Sequence, residues 1–150
     1  MEPDSVKLLL IEDNSADARL VQEELSGEIS FDITTIGSLS EAILKIRDIN
    51  TDVILLDLDL PDSKGINTFI KLYEHAENIP IVILSGIKDE NLALKAVSQG
   101  AQDYLVKGEI DTSLLIRVIR YAIERHKVYK ELKQCKVELE KHKNLYNSSK

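Results

Sequence analysis

Cysteine is almost missing from this chain: Cys135 is the only one in 150 residues, which excludes an internal disulfide and accords with a reducing compartment. Long apolar runs are missing too. The stretch from Val6 to Ile11 is only six residues long and is followed by Glu12-Asp13, so neither a secretory signal nor a membrane span can be read from the start of the chain. Positive charge is scarce over most of the length. The chain carries a formal −7, yet residues 124–150 hold eight Lys/Arg against four Asp/Glu, which leaves the rest at about −11. An acidic body argues against direct nucleic-acid contact, because that affinity comes largely from neutralising phosphates. A cation is the expected guest, and the expected location is the cytoplasm. No internal repeat or low-complexity segment is present.

What the chain does have is a core's worth of aliphatics, 43% hydrophobic residues, arranged as short runs alternating with longer amphipathic stretches. That pattern predicts strands buried on both faces and joined by helices. The expected strands are Lys7–Ile11, Phe31–Ile36, Val53–Asp57, Ile81–Ser85 and Asp103–Val106. The expected helices cover Asp17–Leu25, a segment opened by the Ser38/Glu41 capping box and running to Arg47, Gly65–Ala76, Asp89–Gln99 with Gly100 as its stop, and a last one from Asp111 or Thr112. The fold class is therefore α/β, a doubly wound five-stranded parallel sheet in the order 2-1-3-4-5 flanked by five helices, the last one extended. The expected division is a domain over 1–123 and a helical extension over 124–150.

In such a fold, chemistry belongs beyond the carboxyl ends of the strands. There the sequence places Glu12-Asp13 after strand one, Asp57 and Asp59 after strand three, Ser85-Gly86 after strand four and Lys107-Gly108 after strand five. Taken singly, each has an ordinary explanation: Glu-Asp favours a helix N-terminus, an isolated Asp suits a solvated loop, Ser-Gly makes a turn, and a lysine is a surface charge. Taken together, four separate loops bring complementary groups to one edge. Carboxylates about 4 Å apart repel by about 4 kcal/mol at an effective dielectric near 20, so their convergence calls for a compensating cation. Mg²⁺ suits a site of one or two carboxylates, a carbonyl, water and a phosphate oxygen. A cation, a free carboxylate nucleophile, a hydroxyl and an ammonium together fit phosphoryl transfer.

With these residues in place, the sequence over roughly Lys7 to Ile123 resembles the CheY-like receiver domain of two-component response regulators. The resemblance rests on Glu12-Asp13, on Asp57 in DLDLPDSKG, on Ser85-Gly86 after IVIL and on Lys107 in DYLVKG. It implies that Asp57 accepts a phosphoryl group from a histidine kinase or phosphotransfer protein. It further implies that Asp13 and Asp57 bind Mg²⁺ directly, Glu12 through water and Asp59 through its backbone carbonyl, with Ser85 and Lys107 each taking a phosphoryl oxygen. Tyr104 matches the family's switch aromatic, and the output surface implied is the face of the fourth helix, fifth strand and fifth helix. Such a protein is a signalling phosphoacceptor that catalyses only its own phosphorylation and dephosphorylation. Two positions depart from the pattern. Gly108 stands where the family usually has proline, often after a cis peptide; a cis bond without proline costs about 2.5–4 kcal/mol, so the sequence leaves cis and trans open, the trans form relying on glycine's freedom to deliver the lysine. Asp59 is a carboxylate where an amide or small residue is common.

The rival reading is a haloacid-dehalogenase-like phosphatase with Asp57 as nucleophile and Asp59 as general acid. Leu60-Pro61 after Asp59 and an acidic pair upstream rather than downstream both disagree with it. Beyond Asp111 the apolar pattern continues: Tyr121, Val128, Leu132, Cys135, Leu139 and Tyr146 fall at heptad a and d spacing, interrupted by Arg125 and His142. This predicts a coiled-coil linker, forming a homodimer or leading to a downstream module. The stretch RVIRYAIERHKVYKEL is similar to segments that join receivers to PAS or kinase modules. His126 and His142 are expected on the helix surface.

Overall fold

The computed structural model describes residues 5–27, 30–76 and 78–148. Five strands, β1 (Val6–Ile11), β2 (Phe31–Ile36), β3 (Val53–Leu56), β4 (Ile81–Ser85) and β5 (Asp103–Val106), form one parallel sheet in the order β2-β1-β3-β4-β5. The expected order is thus the observed one. Between the strands run α1 (Ser15–Glu24), α2 (Leu39–Lys45), α3 (Ile66–His75) and α4 (Glu90–Ser98), and α5 (Thr112–Ser148) follows the last strand.

Strand alternation sorts the aliphatics into two layers. Leu9, Ile11, Ile54, Leu56, Ile81 and Ile83 point to the side covered by α2, α3 and α4. Leu8, Leu10, Val53, Leu55, Val82 and Leu84 point to the side of α1 and α5, where they meet Val21, Leu115, Ile119 and Ala122. Each fully buried aliphatic contributes about 1.5–3 kcal/mol, and with both faces covered no strand can slip by one residue without exposing polar groups to one of the layers.

The helices start and stop for local reasons. Asn14 caps α1 by accepting from the Asp17 N–H, Ser38 caps α2 through the Glu41 N–H, and Asp89 caps α4 through the Leu92 N–H. The Ser38/Glu41 capping box is half realised, since the Glu41 carboxylate pairs with Lys45 at 2.8 Å instead of reaching back. After α4, Gly100 takes φ +118°, and a Cβ there would lie 2.7 Å from the Tyr73 ring. Only glycine fits that turn.

Three details differ from the expectations. Strand β3 ends at Leu56, one residue before Asp57, and the segment after it folds into a small antiparallel hairpin, Asp59–Leu60 against Ser63–Lys64. The Lys107–Gly108 peptide, which the sequence leaves open between cis and trans, is trans; Gly108 has no positive φ, and a 3-10 turn over Lys107–Glu109 positions the lysine. His126 is buried rather than on the surface, because α5 still lies against the domain at that point. The side chain of Tyr146 and all of residues 149–150 lie outside the described residues.

Candidate functional site

Two backbone hydrogen bonds carry the sheet ladder past the formal strand ends and so fix the site. The Glu12 N–H donates to Ile36 O at 2.9 Å, and the Asp57 N–H donates to Ile11 O at 3.0 Å. Since Ile11 is in register with Leu56, Glu12 and Asp57 emerge side by side from adjacent strands. Ser85 and Val106 are in register on β4 and β5, so Lys107 follows at the same edge. The residues expected at the tips do converge: Glu12, Asp13, Asp57, Asp59, Ser85 and Lys107 all line one cleft of about 660 Å³.

Within it, carboxylate oxygens of Glu12, Asp13 and Asp57 lie within 4.8 Å of one another. At that separation each ionised pair repels by about 3.5 kcal/mol at an effective dielectric near 20. Glu12 and Asp57 are buried while Asp13 is exposed, so the cluster has a buried floor and an open mouth. Burial and the neighbouring Asp57 carboxyl push the Glu12 pKa up to about 7, against the pull of the Lys107 ammonium. The Lys107 ammonium contacts three carboxylates: Glu12 Oε1 at 2.5 Å, Asp17 Oδ2 at 2.8 Å and Asp57 Oδ2 at 3.2 Å. Its burial acts to lower its pKa, but the bonds to Asp17 and Glu12 and the charge of Asp57 outweigh that and hold it above the usual lysine value. Hard oxygen donors this close, one of them facing solvent, are a donor set that fits Mg²⁺.

Asp57 presents its two oxygens differently. Oδ1 accepts from the Asp59 N–H at 3.1 Å, and Oδ2 faces Lys107. The Asp59 side chain is exposed and turned to the Lys64 ammonium at 2.5 Å, which holds its carboxyl below the usual carboxylate range. Ser85 Oγ is buried and accepts from the Ile87 N–H at 3.2 Å. Tyr104 stands partly buried on β5, and its hydroxyl donates to Ile87 O at 2.7 Å. One tripeptide, Ser85-Gly86-Ile87, therefore links the site to Tyr104.

Two functional contacts have no counterpart in the sequence-based expectations. The sequence places Asp17 only at a helix start, yet its Oδ2 accepts from the Lys107 ammonium at 2.8 Å. Asp17 stands in the first turn of α1, which begins two residues after Asp13, but its approach to Lys107, 90 residues away in sequence, depends on how α1 lies on the sheet. Asp62, in the loop after Asp57, accepts from the Leu39 N–H at 3.0 Å and the Ser40 N–H at 2.9 Å. It thereby ties that loop to the start of α2, a pairing 23 and 22 residues apart in sequence that no local pattern announces.

A doubly wound α/β domain with an acidic, lysine-closed cleft at its carboxyl edge is the class this geometry defines. The particular family follows from comparison: the model of the response regulator receiver domain matches residues 8–120, and the chain belongs to that family. Among curated proteins it is 36% identical over 101 residues to the transcriptional regulatory protein KdpE of Staphylococcus aureus, covering 67% of this chain and 43% of that protein. It is 34% identical over 113 residues to the cell cycle transcriptional regulator CtrA of Caulobacter vibrioides (75% and 48%). To the DNA-binding response regulator MtrA of Mycobacterium leprae it is 30% identical over 112 residues (75% and 49%). The chain thus spans about half the length of these relatives. A solved structure, the signal receiver domain of a putative Luxo repressor protein from Vibrio parahaemolyticus, superposes with a TM-score of 0.74 at 25% identity, covering 85% of this chain and 97% of that one.

Proposed function

We propose that the chain is a phosphoacceptor: Asp57 takes a phosphoryl group from a phosphohistidine of a kinase or phosphotransfer protein. The observation that carries this reading is the convergence of Glu12, Asp13 and Asp57 within 4.8 Å, with the Lys107 ammonium against Asp57. In the transfer, a carboxylate oxygen of Asp57 forms the bond to phosphorus as the bond to the imidazole nitrogen breaks. Glu12, Asp13, Asp57 and the Asp59 backbone carbonyl would hold Mg²⁺, which when bound offsets negative charge on the phosphoryl oxygens. Lys107 is already within reach of Asp57 and pairs with one phosphoryl oxygen. The Ser85 hydroxyl donates to another.

The same contacts supply a switch. Phosphorylation adds roughly −1.5 to −2 charges and three acceptor oxygens. Drawing Ser85 toward them displaces Ile87, which breaks the Tyr104 hydroxyl contact and frees the ring to move, altering the face of α4, β5 and α5. Inverting a 1:99 population takes about 5.5 kcal/mol, within the reach of several charge-assisted hydrogen bonds. DNA binding, as in the name of MtrA, is said of a protein about twice as long; here the acidic body is expected to act through a protein partner or a downstream PAS or kinase module rather than on nucleic acid. Among the described residues no helix is long and apolar enough to cross a membrane.

Incubation with a small acyl-phosphate donor and Mg²⁺ tests the proposal. One alkali-labile, acid-stable phosphate per chain, lost in Asp57→Asn, is the expected result. Many-fold turnover of phosphate esters would establish the phosphatase reading instead, and absence of labelling would reduce the domain to a structural one.

A further inference from the structure

The domain ends well before α5 does. Helix α5 runs 37 residues, roughly 55 Å at 1.5 Å per residue. It packs on the sheet through Leu115, Val118, Ile119 and Ala122, its last buried residue is His126 beside Tyr73 and Pro80, and residues 127–145 are all exposed. At about 100° per residue, Tyr121, Val128, Leu132, Cys135 and Leu139 form a stripe rotated roughly 120° from that packed face. Using the stripe therefore costs the domain none of its own contacts. Val128 is 52% exposed, Leu132 65% and Leu139 66%. Arg125, the polar residue that interrupts the stripe, is drawn off it, with its guanidinium bonded to the Gln102 side chain at 3.2 Å and the Gln102 carbonyl at 3.1 Å.

Charge on either side of the stripe says what covers it. With Leu132 and Leu139 at a positions and Val128 and Cys135 at d positions, the g positions are Glu131 and Glu138 and the e positions are Lys136 and Lys143. In a parallel pair of helices each g residue faces the partner's e residue five positions on. Glu131 then meets the second copy's Lys136, and Glu138 meets its Lys143, twice over by symmetry. An antiparallel pair would instead place glutamate against glutamate and lysine against lysine. Among the described residues Glu131, Lys136 and Lys143 make no ion pair within the chain, and Glu138 only accepts from Gln134 at 3.2 Å.

We infer that this stripe is the contact surface for a second copy of the same chain, in a parallel, in-register two-stranded coiled coil over residues 121–145. Two strands rather than three follow from His142, a d-position residue whose polar ring a two-stranded seam leaves nearer to water. The inference stands apart from the phosphoacceptor reading, since none of its residues touches the cleft.

Sedimentation of the full chain, followed to about 1 mM, the weak end of specific association, should show a concentration-dependent dimer. Mild oxidation should then join Cys135 to the Cys135 of the second copy. The double reversal E131K/E138K should be monomeric, as should K136E/K143E, and mixing the two should restore a dimer containing one of each. All four positions are exposed, so folding is not at stake. A monomer throughout the concentration range, a trimer, no Cys135 crosslink in a dimer, or no rescue on mixing would each overturn the inference.

Discussion

Two titrating side chains give this domain opposite responses to pH. Glu12 has its pKa raised from 4.5 to about 7 because the fold buries it beside Asp57. A raised pKa means that the folded state holds the proton more tightly than the unfolded chain. Its stabilising contribution is full below about pH 4.5 and disappears as the pH rises through 7. In chelator, Glu12→Gln should therefore remove a downward slope of stability between those values, measured as urea midpoints; parallel curves for the two proteins would contradict this. His126 behaves in the opposite sense. Burial lowers its pKa from 6.5, with the Lys130 charge adding to this and the Asn78 backbone opposing it, and its Nε2 has no hydrogen-bond partner among the described residues. A depressed base stabilises above the unfolded pKa and loses that stability as the pH falls below about 6.5. His126→Phe should flatten the acid side of the curve relative to the parent, and an unchanged acid slope would show that the imidazole is not the cause.

Among the elements, the turn after α4 carries the sharpest constraint. Tyr73 stacks on Phe69 with ring centroids 5.3 Å apart, so it cannot withdraw from Gly100 without disturbing the layer beneath α3. Gly100→Ala combines that clash with a backbone angle disfavoured for any side chain. The expected cost is roughly 1–3 kcal/mol, read as a lower urea midpoint at unchanged slope; a midpoint equal to the parent's would mean that Tyr73 yields freely. Here the sequence was a good guide, since a glycine closing an amphipathic run announces a helix stop. The strands were equally legible because aliphatic runs of four to six residues bounded by turn formers allow few other assignments. What could not be read locally was made by contacts between distant segments. Asp62 capping α2, Asp17 on Lys107 and the burial of His126 all depend on how the helices lie on the sheet, which no window of the chain encodes.

For the molecule as a whole, sheet order turns scattered acids into one site. Placing β1 between β2 and β3 puts Glu12-Asp13 next to Asp57, while β4 and β5 deliver Ser85 and Lys107 to the same edge. The identities of these residues could be named from the sequence because strand tips in a parallel sheet share an edge; their pairing could not, and Lys107 is found answering three carboxylates at once. A domain built this way holds its acidic cluster and its lysine together at one edge of the sheet. The most direct measurement is to phosphorylate the chain, reduce it with borohydride, which converts an aspartyl phosphate to homoserine, and sequence the peptides by mass spectrometry. Homoserine at position 57 alone is the result expected. Homoserine at 13 or 59, or none at all under conditions that label the chain, would contradict the assignment of Asp57 as the acceptor.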